Sequence, residues 1–365
     1  MPFSLAGGAR LGNHTYARRF SRKRRLARWL GLLAAPFLAG GCFAFPPAEI
    51  AQLAPPPRFE AELSPYRYPG ATGQPIEGFL ALPSGPAAPV RSPCLLFLHG
   101  QIGFWRSYRP YALELARLGY GVLYINYYSA RIVNLKEGTR PFEERVERLR
   151  LLLEDMARGV DALSAHPRCE RGGVTVVGFS LGGSYAFHVA ALRPGKVAAI
   201  ASFYGGYRFE PLMDTWDIRL SYLFADSDGR RWHEWFARQD PQSLLGKVRA
   251  PVLLLHGRKD SWIPSRQAEE YHEALLNRGV PADLILLPEA NHDFMFSFDP
   301  AAGQQAVGQL VRFLERRVET SLRLGCSPGG YGALPPCPEG SPPRTASRPV
   351  QTSAPATGPS PDPTP

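Results

Sequence analysis

A chain of 365 residues, 44% hydrophobic and 20% charged, has the size and composition of one large globular domain with a full core. The formal net charge of +10 suggests a nucleic-acid partner, but eight of the 42 basic residues (Arg10, Arg18, Arg19, Arg22, Lys23, Arg24, Arg25 and Arg28) lie in the first 41 positions, which hold no acid. The remaining 34 stand against 32 acidic residues with no basic stripe among aromatics, which argues against nucleic-acid binding.

In chain order, the basic run is followed by an apolar stretch from Trp29 to Gly41 and then Cys42. A positive region, a short apolar region and small residues describe an export signal over 1–41, too short to span a bilayer comfortably. Leu38-Ala39-Gly40-Gly41-Cys42 resembles the lipobox of bacterial lipoproteins, with Ala39 where leucine is usual and Leu38 one residue early. That resemblance implies lipidation of Cys42 and a membrane-anchored protein of the cell envelope. The alternatives are an uncleaved anchor or a plain signal peptide that leaves a periplasmic or secreted protein. Pro46, Pro47, Pro55, Pro56 and Pro57 make 42–57 a stiff tether.

The body, 58–325, alternates strands and helices. Arg58–Tyr68 and Pro75–Leu82 read as outer strands, Cys94–Leu98 as an apolar strand, Tyr108–Leu118 as a helix and Val122–Tyr127 as a strand. Phe142, Val146, Leu149, Leu153, Met156, Val160 and Leu163 recur at steps of four and three, the spacing of one helix face. Val174–Val177 is a β-branched strand, and Leu181–Leu192 is a helix stopped by Pro194-Gly195. Ala198–Phe203, Val252–Leu255 and Leu284–Leu287 read as strands, Ser265–Leu276 and Ala306–Leu322 as amphipathic helices. This order predicts a mostly parallel sheet with helices on both faces. Tyr207 to Lys247 interrupts it, as a lid, a pocket wall or a helical decoration. The tail, 326–365, is rich in Pro, Ser, Thr, Gly and Ala and reads as disordered. In an oxidising compartment Cys94, Cys169, Cys326 and Cys337 form either two bridges (94 with 169, 326 with 337) or four thiols. No cysteine spacing resembles a metal site.

In such a sheet, sites form beyond the carboxyl ends of strands. Four strand ends carry chemistry. Val174 to Val177 leads into Gly178-Phe179-Ser180-Leu181-Gly182, a G-x-S-x-G elbow that lifts Ser180 out as a nucleophile and aims the Leu181 N–H at an oxyanion. His99-Gly100-Gln101 follows Leu98, where the Gln101 N–H is the candidate second donor and His99 an orienting residue. Asp260 follows the strand ending at Leu255, and His292 follows the strand ending at Leu287. Ser180, Asp260, His292 is the chain order of a nucleophile, orienting acid and base on this type of sheet. Asp260 can alternatively cap the helix that follows, Asp293 can cap or pair locally, and His256 and His188 read as a turn residue and a packing residue. Phe104, Trp105, Tyr127, Tyr128 and Trp262 form either an aromatic pocket or core.

Leu96-Phe97-Leu98-His99-Gly100, Val176 to Gly183, Ser202-Phe203-Tyr204-Gly205, Ala250 to Asp260 and Asn291-His292-Asp293-Phe294 together resemble the dienelactone hydrolase family over roughly 75–314. The resemblance implies an α/β-hydrolase fold, no cofactor, and hydrolysis of an ester or lactone through Ser180, His292 and Asp260. The namesake enzymes carry cysteine where this chain has Ser180, which puts dienelactone itself in doubt. The rival functions are a peptidase or acyltransferase with the same three residues, and a non-catalytic envelope binding protein.

Overall fold

The computed structural model describes residues 57–103, 105–131, 140–213, 227–295 and 300–324. The export signal, Cys42, most of the tether, Phe104, Cys326, Cys337 and the tail lie outside them. Eight strands form one sheet: β1 (Glu60–Pro69), β2 (Pro75–Ser84), β3 (Cys94–Leu98), β4 (Gly121–Asn126), β5 (Val174–Phe179), β6 (Val197–Phe203), β7 (Val252–Gly257) and β8 (Ala282–Leu287). Their spatial order is β1-β2-β4-β3-β5-β6-β7-β8. The β1–β2 and β2–β4 pairs are antiparallel, and every pair from β4 to β8 is parallel. This is the mostly parallel sheet that the alternation predicts, and the α/β-hydrolase architecture that the resemblance implies.

The sheet is apolar on both faces because alternate residues of each strand point to opposite sides. Leu96 and Leu98 of β3 join one core with Val176 of β5 and Leu254 of β7, whereas Leu95, Phe97, Val177 and Leu253 join the other. The first face is covered by α2 (Phe142–Ala165), α3 (Leu181–Leu192), α5 (Ser227–Ala237) and α6 (Arg266–Leu276). The second is covered by α1 (Arg109–Arg117) and α7 (Pro300–Leu324). Truncating a fully buried residue such as Leu253 to Ala should cost about 2–5 kcal/mol.

The α2 face is wider than its apolar spacing indicates. Leu152 is fully buried, while Val146 and Leu153 are only partly so. Asp155 is also fully buried on it, because it pairs with Arg131 and accepts the Ala71 N–H. The interruption holds α4 (Glu210–Met213) and α5. In its described part Tyr207, Trp232 and Phe236 are core, and the Arg231 guanidinium lies 3.9 Å over the Phe142 ring on α2.

Cys94 and Cys169 form a disulfide across 75 residues of chain. It ties the start of β3 to the segment before β5, two neighbouring strands in the middle of the sheet rather than at its edge. Closing so long a loop stabilises the fold by about 4 kcal/mol through the unfolded chain.

Candidate active site

Crossing from β3 to β4 and back to β5 makes the chain reverse direction across the sheet, which opens a crevice at the carboxyl ends of β3 and β5. The elbow after β5 fills it. Ser180 has φ 52° and ψ −120°, in the left-handed half of the map. Its N–H donates to the Phe203 carbonyl at 2.9 Å, so the ladder to β6 runs right up to the turn. The flanking glycines are sterically required. A Cβ on Gly178 would lie 2.1 Å from the Gly182 carbonyl oxygen, and one on Gly182 would lie 2.3 Å from that of Leu98. The strand can therefore turn into α3 within two residues and expose Ser180.

The imidazole of His292 meets this hydroxyl. Ser180 Oγ lies 3.0 Å from His292 Nε2, and His292 Nδ1 lies 2.7 Å from Asp260 Oδ2. The structure thus brings together three residues spread over more than a hundred positions. The loops that hold Asp260 and His292 are zipped together: Arg258 N–H donates to the Leu287 carbonyl and Lys259 N–H to that of Ala290. Asn291 Oδ1 completes the clamp, accepting the N–H and hydroxyl of Ser261 and the N–H of His292.

Asp260 is buried and does not cap a helix; Ser265 occupies the N-cap of α6. Asp260 Oδ1 accepts the N–H groups of Trp262 and Ile263 at 2.9 and 2.8 Å. Oδ2 faces two imidazoles, His292 Nδ1 and, at 3.1 Å, His256 Nε2. Burial works to raise this carboxyl, but the bonds from His256, His292 and Ile263 outweigh it and hold Asp260 well below the usual carboxylate range. His256 Nε2 also faces the Ile263 carbonyl at 2.9 Å, so it sees two acceptors and must carry the proton. His256 is thus a second donor to Asp260, and it sits in β7 paired with Leu286 rather than in the turn its sequence suggested.

His292 is sandwiched. The exposed Trp262 indole stacks on it at 5.3 Å and 12°, and the buried Tyr204 ring meets it edge-on at 5.0 Å. Tyr204 has φ 41° and Asp293 φ 56°. With Ser180 they are the only non-glycine residues at positive φ among the described residues, and all three border the Ser180–His292 contact. Backbone strain of this kind gathers at functional sites.

The loop after β3 closes over the serine. A Cβ on Gly100 would lie 3.2 Å from Ser180 Cβ, so the backbone leading into Gln101 lies against Ser180. Gln101 is exposed at the turn closed by Gly103 N–H to the Gly100 carbonyl. Leu181 opens α3, and its N–H belongs to the first turn, where a helix supplies no acceptor. His99 orients this loop as its position suggests. Its Nδ1 donates to the Gly100 carbonyl at 2.7 Å and its ring stacks 3.7 Å from Tyr127, whose hydroxyl donates to the His99 carbonyl. Burial lowers His99 to about 4, so the ring is neutral. Tyr127 is therefore core support for the loop rather than a pocket wall, whereas Trp262 stands in the mouth. His188 is a buried residue of α3 itself, with Nε2 facing the Gln239 carbonyl at 2.8 Å.

Comparison with known proteins agrees with this architecture. The model of the dienelactone hydrolase family matches residues 76–316. The acylamino-acid-releasing enzyme of Rattus norvegicus is 24% identical over 234 residues, 60% of this chain and 31% of that protein. A probable 2-oxo-3-(5-oxofuran-2-ylidene)propanoate lactonase of Bradyrhizobium is 22% identical over 244 residues, 65% of this chain and 89% of that protein. A putative dienelactone hydrolase structure from Klebsiella pneumoniae superposes with TM-score 0.53 at 20% identity, covering 70% of this chain and 99% of that one. The chain spans about a third of the length of the acylamino-acid-releasing enzymes it matches.

Proposed function

Because this chain belongs to the dienelactone hydrolase family, we propose that it is a serine hydrolase that cleaves a carboxylic ester or lactone through an acyl-enzyme. The observation that carries the reading is the continuous line from Ser180 Oγ through His292 to Asp260, with contacts of 3.0 and 2.7 Å. Ser180 Oγ bonds to the ester carbonyl carbon as its proton passes to His292 Nε2. Asp260 fixes the Nδ1–H tautomer and balances the imidazolium. The N–H groups of Gln101 and Leu181 receive the oxyanion, each such donor being worth about 3 kcal/mol. The carbon–oxygen bond to the leaving alcohol then breaks, and that oxygen takes the proton from Nε2. A water molecule repeats the sequence on the acyl-enzyme, releasing the acid and restoring Ser180. The scheme calls for no cofactor.

The relatives that release acylated amino acids support a second reading, in which the same residues cleave an amide. A panel of p-nitrophenyl esters, lactones and acyl-amino-acid amides separates the two. The ester reading expects turnover of the esters or lactones at least a hundredfold above the amides, lost in Ser180→Ala; amide turnover at or above the ester rate favours the peptidase.

We also place the protein outside the cytoplasm, anchored through lipid on Cys42. The Cys94–Cys169 disulfide supports an oxidising compartment. Metabolic labelling with an alkyne fatty acid should mark the protein and should fail in Cys42→Ala.

A further inference from the structure

Asp293 follows His292 directly and adopts φ 56°, a conformation that glycine takes freely and that L-residues rarely adopt. Its carboxylate is where that backbone leads. Oδ1 lies 3.8 Å from His292 Nε2, the same nitrogen that faces Ser180, and the side chain is 31% exposed although its surroundings are largely closed. Asp260, by contrast, is fully buried on the opposite side of the ring, at Nδ1. The histidine is therefore flanked by two carboxylates, one structural and spoken for by four donors, the other open to whatever occupies the site.

Nε2 delivers its proton to the leaving atom, so that atom must come within hydrogen-bond reach of Nε2. A group within 4 Å of Nε2 consequently faces the leaving side of the substrate rather than the far end of its acyl chain. Burial and Asp260 push the Asp293 carboxyl up and His292 draws it down, and among the described residues the other titratable neighbours supply no positive charge to offset it. Tyr108 and Tyr204 are buried phenols pushed far up, first by burial and also by Asp293 itself. Asp260 is a second anion.

We propose that Asp293 is a specificity-determining residue that selects leaving groups bearing a positive charge close to the scissile bond, such as amino alcohols or amines, and rejects anionic ones. The proposal rests on the serine-hydrolase reading above. A unit charge about 6 Å from the carboxylate, in a half-exposed site of intermediate dielectric, changes transition-state binding by about tenfold.

The test uses three acetyl thioesters with thiol leaving groups of similar size: thiocholine (cationic), 3,3-dimethylbutanethiol (neutral) and 3-mercaptopropionate (anionic), with thiol release followed at pH 8. Asp293→Asn keeps the shape and tolerates the left-handed backbone but removes the charge. The ratio of kcat/KM for the cationic over the anionic thioester should fall by about a hundredfold in Asp293→Asn, about tenfold from each charge, and should be kept in Asp293→Glu. Should the Asn variant fail to fold by circular dichroism, Asp293→Gly, which suits φ 56°, provides the same measurement. A ratio within twofold of the unsubstituted protein in the uncharged variant overturns the proposal. Hydrolysis of the neutral thioester in Ser180→Ala reports separately: its survival sinks the serine assignment, whereas its loss together with an unchanged charge ratio sinks only the role of Asp293.

Discussion

Asp260→Asn is the substitution whose outcome follows most directly from the hydrogen bonds. Oδ1 of Asp260 accepts two backbone N–H groups, from Trp262 and Ile263, and this turn fixes that atom as an acceptor. An asparagine must therefore keep its carbonyl oxygen there and place its NH2 where Oδ2 stands. That position faces His292 Nδ1 and His256 Nε2, at 2.7 and 3.1 Å. His256 Nε2 still has the Ile263 carbonyl as a partner and can keep its proton. His292 has no such alternative at Nδ1 and must present a lone pair to the amide, which moves its proton to Nε2. An imidazole protonated at Nε2 can no longer accept from Ser180 Oγ, 3.0 Å away. With the Trp262 and Ile263 N–H bonds kept at Oδ1, kcat should fall by about 10⁴, or roughly 5.5 kcal/mol of transition-state stabilisation. The assay is kcat for a short p-nitrophenyl ester, with circular dichroism and thermal melting as controls. Activity within tenfold of the unsubstituted protein would refute the tautomer argument and with it the role assigned to Asp260.

Other consequences concern stability. His99 and His188 are both held near 4 by burial, so between pH 6.5 and 4 the unfolded chain binds more protons than the native one and stability falls with falling pH. Each histidine should remove about 2 kcal/mol between pH 7 and pH 5, and His188→Gln should shrink the pH-dependence of the unfolding free energy from urea titration by that amount; an unchanged slope would contradict it. Asp260 acts in the other direction of shift: its depressed carboxyl adds stability above the normal aspartate range, and this is lost as acid protonates it, so Asp260→Asn should flatten acid unfolding below about pH 4. Replacing Cys94 and Cys169 by Ala should cost about 4 kcal/mol by chemical denaturation, and a loss below 1 kcal/mol would show that the bridge restrains little. Gly182→Ala, which would drive a methyl group into the Leu98 and His99 carbonyls, should abolish ester hydrolysis or folding; a soluble, active variant would refute the packing of the elbow.

The elements were legible because each obeys a simple period. The apolar runs of β3 to β8 and the three-and-four spacing on α2 appear within a few residues of their observed limits. The elbow was legible because its glycines announce a turn that no larger residue could make. The three residues in line with it could be named because each follows its own strand. What stayed hidden depends on pairing in space. The placement of β4 outside β3 leaves no local trace, since both are short apolar strands. His256 and Asn291 look like ordinary turn residues until the loops after β7 and β8 are zipped together. Buried Asp155 was unreadable for the same reason: its partners, Arg131 and Ala71, lie 24 and 84 positions away. Asp293 differs in kind, because its meaning rests on a φ angle that composition does not encode.

The proposed function stands on one reactive hydroxyl. Incubating the purified protein with a fluorophosphonate probe and mapping the adduct by mass spectrometry reads it directly. The reagent should attach to Ser180, and labelling should vanish in His292→Ala although the hydroxyl is still present. A folded protein that remains unlabelled, or that is labelled at another residue, would contradict the assignment.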